Sequence, residues 1–245
     1  MFSSPVSARA LCLYASLLTL SVPAGAADGE AIIQKGGANP AAMPCMSCHG
    51  VDGKGMAAGG FPRLAGLPEA YIAKQLADFK AGRRENPLMQ PIAQALGDGE
   101  AAAVAKAYAS QPKVSIKAGP VERPKEGSGA WLALRGAWER NIPECTLCHG
   151  PAGVGVGDVF PPLAGQSAEY IEAQLRAWRG TPAQLAGKKS KALAAVPATR
   201  RNDPNGLMQH IAADLSEAEI KAVSAYFAGL GESTEPFDES QHRLR

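Results

Sequence analysis

The chain has 245 residues, 46% hydrophobic and 20% charged, with 25 lysines and arginines against 23 aspartates and glutamates. That near-balance excludes a global charge suited to nucleic acid or an anionic membrane surface, so any electrostatic docking has to be local. The length suits two domains of roughly a hundred residues each.

The first feature along the chain is an export signal. Arg9 precedes the apolar run from Leu11 to Val22, and Pro23, Ala24, Gly25 and Ala26 place small residues where a signal peptidase reads them. The run is too short for a permanent membrane span. Residues 1–26 are therefore expected to be a cleaved signal peptide, and the protein is expected in the periplasm without a membrane anchor. Cleavage after Ala26 also removes Cys12, whose preceding residues Arg9, Ala10 and Leu11 do not suit a lipoprotein cleavage site.

The four remaining cysteines then occur as two pairs. Cys45, Cys48 and His49 form one C-x-x-C-H motif, and Cys145, Cys148 and His149 form a second. Thiols three apart on a helical turn share a face, so both can add to the vinyl groups on one edge of a haem. The histidine that follows is placed to bind the iron as proximal ligand. Each motif predicts one covalently bound c-type haem, giving two. A zinc site fits less well, because its paired cysteines usually lie about 15 to 20 residues apart and these pairs are far more widely separated. A thioredoxin-like pair would need a strand and helix context that neither motif has, and structural disulfides would not call for the histidines.

The residues after each motif repeat. FPRLAG from Phe61 matches FPPLAG from Phe160, and EAYIAKQLADFKAG from Glu69 matches AEYIEAQLRAWRG from Ala168, both with apolar residues at helical spacing. LMQPIAQAL from Leu88 matches LMQHIAADL from Leu207. The last helices are predicted at about 98 to 110 and 216 to 229, the second opening on a Ser216 and Glu219 capping box. No strand alternation occurs, which predicts an all-α fold. The domains are read as 27–112 and 130–235, with a proline- and glycine-rich linker at 113–129 and a polar tail at 236–245. The second copy holds about 20 extra residues at roughly Thr181 to Thr199. Lys188, Lys189 and Lys191, with Arg200 and Arg201 at the exit, are read as a basic patch that steers docking.

With its paired C-x-x-C-H motifs, FPxLAG segments, YIxxQL helices and LM-led helices, the chain resembles tandem class I cytochromes c, in particular the dihaem cytochrome c4 family. The resemblance implies two class I cytochrome c-like domains, each wrapped around one covalent haem. It implies a sixth iron ligand late in each domain, and the repeat selects Met89 and Met208; His210 is the alternative in the second copy. Likewise it implies that His49 and His149 donate to the carbonyls of Pro62 and Pro161. Gly36 and Gly136 are expected to let the first helix of each domain approach the last one, with Tyr108, Tyr226 or Phe227 packing across. Tyr71, Gln75 and Arg83, or Tyr170 and Gln174, are candidates to meet the haem propionates. The implied function is electron transfer with periplasmic or membrane-bound redox proteins: a dehydrogenase, a cytochrome complex or a terminal oxidase. The alternatives are a dedicated cytochrome subunit of a dehydrogenase complex and, less readily, a dihaem peroxidase, for which neither copy offers an evident distal acid-base group.

Overall fold

The computed structural model describes residues 27–116, 123–180 and 199–231. The expected signal peptide, the lysines of the insertion and the polar tail with His242 lie outside them. Two helical halves follow the same order. The first contains α1 (Gly29–Lys35), α2 (Met46–His49), α3 (Glu69–Lys80), α4 (Met89–Ala95) and α5 (Asp98–Ser110). The second contains α6 (Gly129–Arg135), α7 (Cys145–His149), α8 (Ala168–Arg179), α9 (Leu207–Asp214) and α10 (Glu217–Gly229). Among the described residues the β structure is limited to isolated bridges, as an all-α sequence pattern requires. No described helix is long and apolar enough to cross a membrane.

Local chemistry sets the helix ends. Asp28 caps α1 by accepting from the N–H groups of Glu30 and Ala31, and Ser128 caps α6 by accepting from Trp131. Both helices stop at a glycine with positive φ, Gly36 at +91° and Gly136 at +69°. At the start of α10, the Ser216 hydroxyl and the Glu219 carboxylate satisfy each other's backbone N–H groups in a capping box.

In each half the first helix crosses the last, α1 on α5 and α6 on α10. The glycines that permit this are Gly29 and Gly129, which corrects the assignment of that role to Gly36 and Gly136. A Cβ on Gly29 would stand 2.1 Å from the Ala103 carbonyl oxygen, and one on Gly129 would stand 2.0 Å from that of Ala222. Gly36 and Gly136 instead turn the chain out of the helix in a conformation that L side chains rarely adopt. The third helix of each half packs on its last two, α3 on α4 and α5 and α8 on α9 and α10. Tyr108 and Phe227 fill equivalent buried positions on the last helices. Each lends its carbonyl to a glycine of the FPxLAG segment, Gly66 N–H to Tyr108 and Gly165 N–H to Phe227.

The halves also touch directly. Gln166 clasps the backbone of Arg63, accepting from its N–H at 2.9 Å and donating to its carbonyl at 3.1 Å. Residues 83–85 pair with 199–201 through an antiparallel bridge, in which Glu85 N–H donates to the Thr199 carbonyl and Arg201 N–H to that of Arg83. The start of the 113–129 segment is packed against the second half. Ile116 is buried, bridges Gly231, and joins Ala152 and Ala164 in a small apolar cluster flanked by Val114 and Leu230.

Candidate functional site: two matched histidine pockets

Both C-x-x-C-H motifs fold as short helical turns, α2 with Cys45 as its N-cap and α7 from Cys145 itself. Each ends at a glycine of positive φ, Gly50 or Gly150, which swings the chain away from the histidine. It then returns through Gly55 or Gly155, whose N–H groups donate to the carbonyls of His49 at 2.8 Å and His149 at 2.7 Å. A side chain at either glycine would strike the FPxLAG segment, since a Cβ on Gly55 would lie 2.5 Å from the Phe61 carbonyl oxygen. Bare glycine therefore seats that segment against the motif. Gly55 and Gly155 went unnoticed in the sequence, although they align between the repeats.

The seated segment holds the histidine rings. His49 Nδ1 lies 3.0 Å from the Pro62 carbonyl oxygen and His149 Nδ1 lies 2.8 Å from that of Pro161. Both rings are buried, at 6% and 7% exposure, and each meets a phenylalanine edge-on, Phe61 or Phe160. Burial lowers the pKa of both imidazoles against the opposing effect of the proline carbonyls, so the rings are neutral at physiological pH. A neutral ring has one N–H, and the carbonyl claims it for Nδ1. Nε2 is left with a free lone pair in each pocket.

The four motif cysteines are partly buried, and none is paired in a disulfide. Burial raises the Cys45 thiol above its ordinary range and pushes Cys145 up to about 12, so neither is an ionised nucleophile. In the first half the Tyr108 hydroxyl neighbours the Cys45 thiol. Each pair sits in its own half with its own histidine, and among the described residues no three His, Cys, Asp or Glu side chains gather as a metal cluster.

The methionines reach the same cores. Cys45 and Met89 both pack against the cluster around Ile33, Leu76 and Tyr108, while Cys145 and Met208 both pack against the cluster around Ile142, Leu175 and Phe227. Polar caps hold the methionine turns in place: Asn86 Oδ1 accepts from the N–H groups of Leu88 and Met89, and Asp203 Oδ2 accepts from Gln209. Met43 and Met56 are exposed. The two caps differ in reach, two and three residues ahead for Asn86 and six for Asp203, and the Asn-Pro and Asp-Pro pairs ahead of the methionines were their sequence signal.

A second polar cluster lies between the halves. Arg84 and Arg200 are both buried, at 7% and 5% exposure, and share Tyr71, Gln75, Tyr170 and Gln174. Arg83, a candidate from the sequence to meet the haem propionates, has an exposed side chain and pairs with Asp78. Of the residues read as a basic patch, the three lysines lie outside the described residues, Arg200 is interior, and Arg201 pairs with Glu85 of the first half at 2.6 Å. Burial opposes ionisation of Tyr170, but the charges of Arg84 and Arg200 draw its pKa down.

Two thiols beside an imidazole with a free Nε2, in a thin core with a methionine, form a donor set that fits a c-type haem. The family model for cytochrome c matches residues 27–113 and 143–231. The "thiosulfate dehydrogenase electron acceptor" of Stutzerimonas stutzeri is 55% identical over 88% of this chain and 92% of its own. The cytochrome c4 of Thiocapsa roseopersicina is 41% identical over 77% of this chain and 88% of its own. A solved thiosulfate dehydrogenase from Marichromatium purpuratum superposes with a TM-score of 0.65 at 38% identity; the match covers 85% of this chain and 40% of that one.

Proposed function

Because the chain belongs to the cytochrome c family, as a two-haem electron carrier of the cytochrome c4 kind, we propose that it receives its electrons from a thiosulfate dehydrogenase in the periplasm. Two covalently bound c-type haems supply the chemistry, one-electron oxidation and reduction of iron. The carrier itself is not an enzyme.

The chain's own residues do the rest. Cys45 and Cys48 would anchor the first haem, with His49 and Met89 binding its iron, and Cys145, Cys148, His149 and Met208 would do the same in the second half. The Pro62 and Pro161 carbonyls fix the imidazole tautomer, which presents Nε2 and makes it a stronger donor. Asn86 and Asp203 hold the methionine turns, so the thioethers stay directed into their own cores. Thioether ligation from these methionines would favour the reduced iron, which suits a carrier. Export follows from the leader at 1–26, since covalent haem and a cleaved signal belong to the same compartment.

The observation that carries the reading is the duplicated histidine–proline contact, at 3.0 and 2.8 Å in the two halves. The named relatives support the choice of partner: two sequences named as electron acceptors of thiosulfate dehydrogenase are 55% and 43% identical to this chain. In the test, purified holoprotein is mixed with a thiosulfate dehydrogenase and thiosulfate, and the reduced haem absorption is followed by stopped flow. Two electrons per chain should arrive, at a rate that saturates with dehydrogenase concentration. Reduction no faster than with thiosulfate alone, in a sample that ascorbate reduces fully, would overturn the partner assignment.

A further inference from the structure

The last helices of the two halves place one aromatic ring alike and differ there by a single oxygen. Tyr108 lies five residues beyond Ala103, which Gly29 crosses, and Phe227 lies five beyond Ala222, which Gly129 crosses. A Cβ on Gly53 would stand 3.0 Å from Tyr108 Cε1, and one on Gly153 would stand 2.7 Å from Phe227 Cε1. Both rings are shut off from solvent, at 0% and 1% exposure. Only the first carries a hydroxyl.

That hydroxyl is buried and makes no formed hydrogen bond among the described residues, a state that normally destabilises a fold. Gln111 Oε1 lies by the same Gly53 and is also buried without a partner, so the two do not bond each other. Glu30 is exposed and acts on the phenol through its charge alone. The Cys45 sulfur is the remaining neighbour, close enough to couple to the hydroxyl but short of a formed hydrogen bond. Burial raises the phenol above its ordinary range, so it keeps its proton and is a donor. In the second half Tyr226 couples to Cys145, but it is only half-buried, so water is available to its hydroxyl.

We propose that Tyr108 tunes the first haem alone: its hydroxyl donates a hydrogen bond to the sulfur of Cys45 once that sulfur is a thioether, and so raises the potential of the first redox centre. The inference rests on the reading of one covalent haem per half. A thiol can donate or accept, whereas a thioether has lone pairs and no proton, so attachment leaves this sulfur able only to accept. The orphaned hydroxyl then has an acceptor that cannot compete for the donor role. Its dipole turns its positive end toward the attached edge of the macrocycle, in a buried setting where dipoles act strongly. Positive potential there favours the reduced iron, and hydrogen bonding beyond the ligands is one of the levers on haem potential. At the matching place in the second half, Phe227 has no oxygen to offer.

Two measurements on full-length holoprotein test this. Resonance Raman spectra in light and heavy water should show a thioether C–S stretch that shifts on exchange of the phenolic proton, and the shift should vanish in Tyr108→Phe. In a spectroelectrochemical titration fitted to two one-electron steps, Tyr108→Phe should lower one midpoint by about threefold in the ratio of reduced to oxidised sites, or about 28 mV at 59 mV per tenfold. The other midpoint should stay in place. The midpoint that falls should be the one displaced in Met89→Ala, which marks the first haem. Tyr108→Phe removes an unpartnered oxygen and makes the first half match the second, so it should fold with full covalent haem content on a denaturing gel. Unmoved midpoints, equal falls in both, or a fall in the second haem's midpoint would overturn the proposal. A C–S stretch in the wild type that ignores heavy water would overturn it as well, and this measurement needs no variant. Loss of covalent haem in Cys45→Ala tests the underlying reading separately.

Discussion

Replacing Gly129 by alanine tests the helix crossing that shapes each pocket. The new Cβ would stand 2.0 Å from the Ala222 carbonyl oxygen and 2.3 Å from its carbon. Carbon–oxygen contacts settle near about 3.3 Å, so α6 and α10 would have to part by roughly 1.3 Å. The obstacle is backbone inside a helix, so no side-chain rotation relieves it. A gap of that size forfeits roughly a quarter to a half of the dispersion attraction for contacts across the crossing, where Leu132, Val223 and Phe227 belong to one core. Alanine restricts the unfolded chain and gains about 0.4–1 kcal/mol, but overpacking of a dense core costs about 1–3 kcal/mol and dominates. A net loss of about 2 kcal/mol lowers the melting temperature of a domain this size by roughly 8–16 °C. Thermal unfolding followed by circular dichroism measures it. The control is Gly99→Ala in α5, where a Cβ meets nothing within 4 Å and the same substitution should be neutral or stabilising. Equal melting of Gly129→Ala and wild type would refute the steric argument.

Met208→Ala should remove one of two thioether-to-iron absorption features at the red edge of the visible spectrum and lower that haem's potential, since the soft ligand is lost; retention of both features would reassign the ligand, with His210 the nearest candidate. Glu219→Gln keeps the capping geometry but removes the charge that faces Arg140. Hydrogen bonds from Arg140 hold the Glu219 carboxyl down at about 2, so the wild-type advantage is present above the unfolded value near 4.5 and disappears as pH falls toward 2. Charge-assisted hydrogen bonds at a partly exposed carboxylate are worth about 1–2 kcal/mol, and urea unfolding at pH 7 and pH 2.5 should show that difference at the first pH and little at the second.

Much of the fold was legible because the chain states it twice. Helical spacing in one copy is ambiguous, whereas the same spacing beside the same FPxLAG and LMQ segments in both copies sets the helices at 69–80 and 168–179. The glycine at the helix crossing was misread for a physical reason. A glycine at a crossing and a glycine at a cap look alike in sequence, and only the helix start separates them. Asp28 and Ser128 set that start, and an N-cap residue followed at once by glycine in both copies was the signal available. The choice of Arg84 over Arg83 was not legible locally. It depends on the turn after α3, where Asp78 takes Arg83 outside and residues 83–85 pair with the other half of the molecule.

That pairing also shows how an insertion is accommodated without loss of symmetry at the interface. Aligning Asn86-Pro87 with Asp203-Pro204 would match Arg84 to Arg201. In space Arg84 matches Arg200: each stacks on the aromatic residue near the end of its third helix, Phe79 or Trp178, and each reaches both glutamines. Arg84 lies five residues before Met89 and Arg200 eight before Met208, so the route from interface to methionine differs in length while its ends coincide. The 3-10 turn at Pro204–Gly206, with Asn205 and Gly206 both at positive φ, takes up the excess. The symmetry at the interface is therefore one of charge and packing more than of sequence, as expected where two buried cations have to be placed against common partners from both halves.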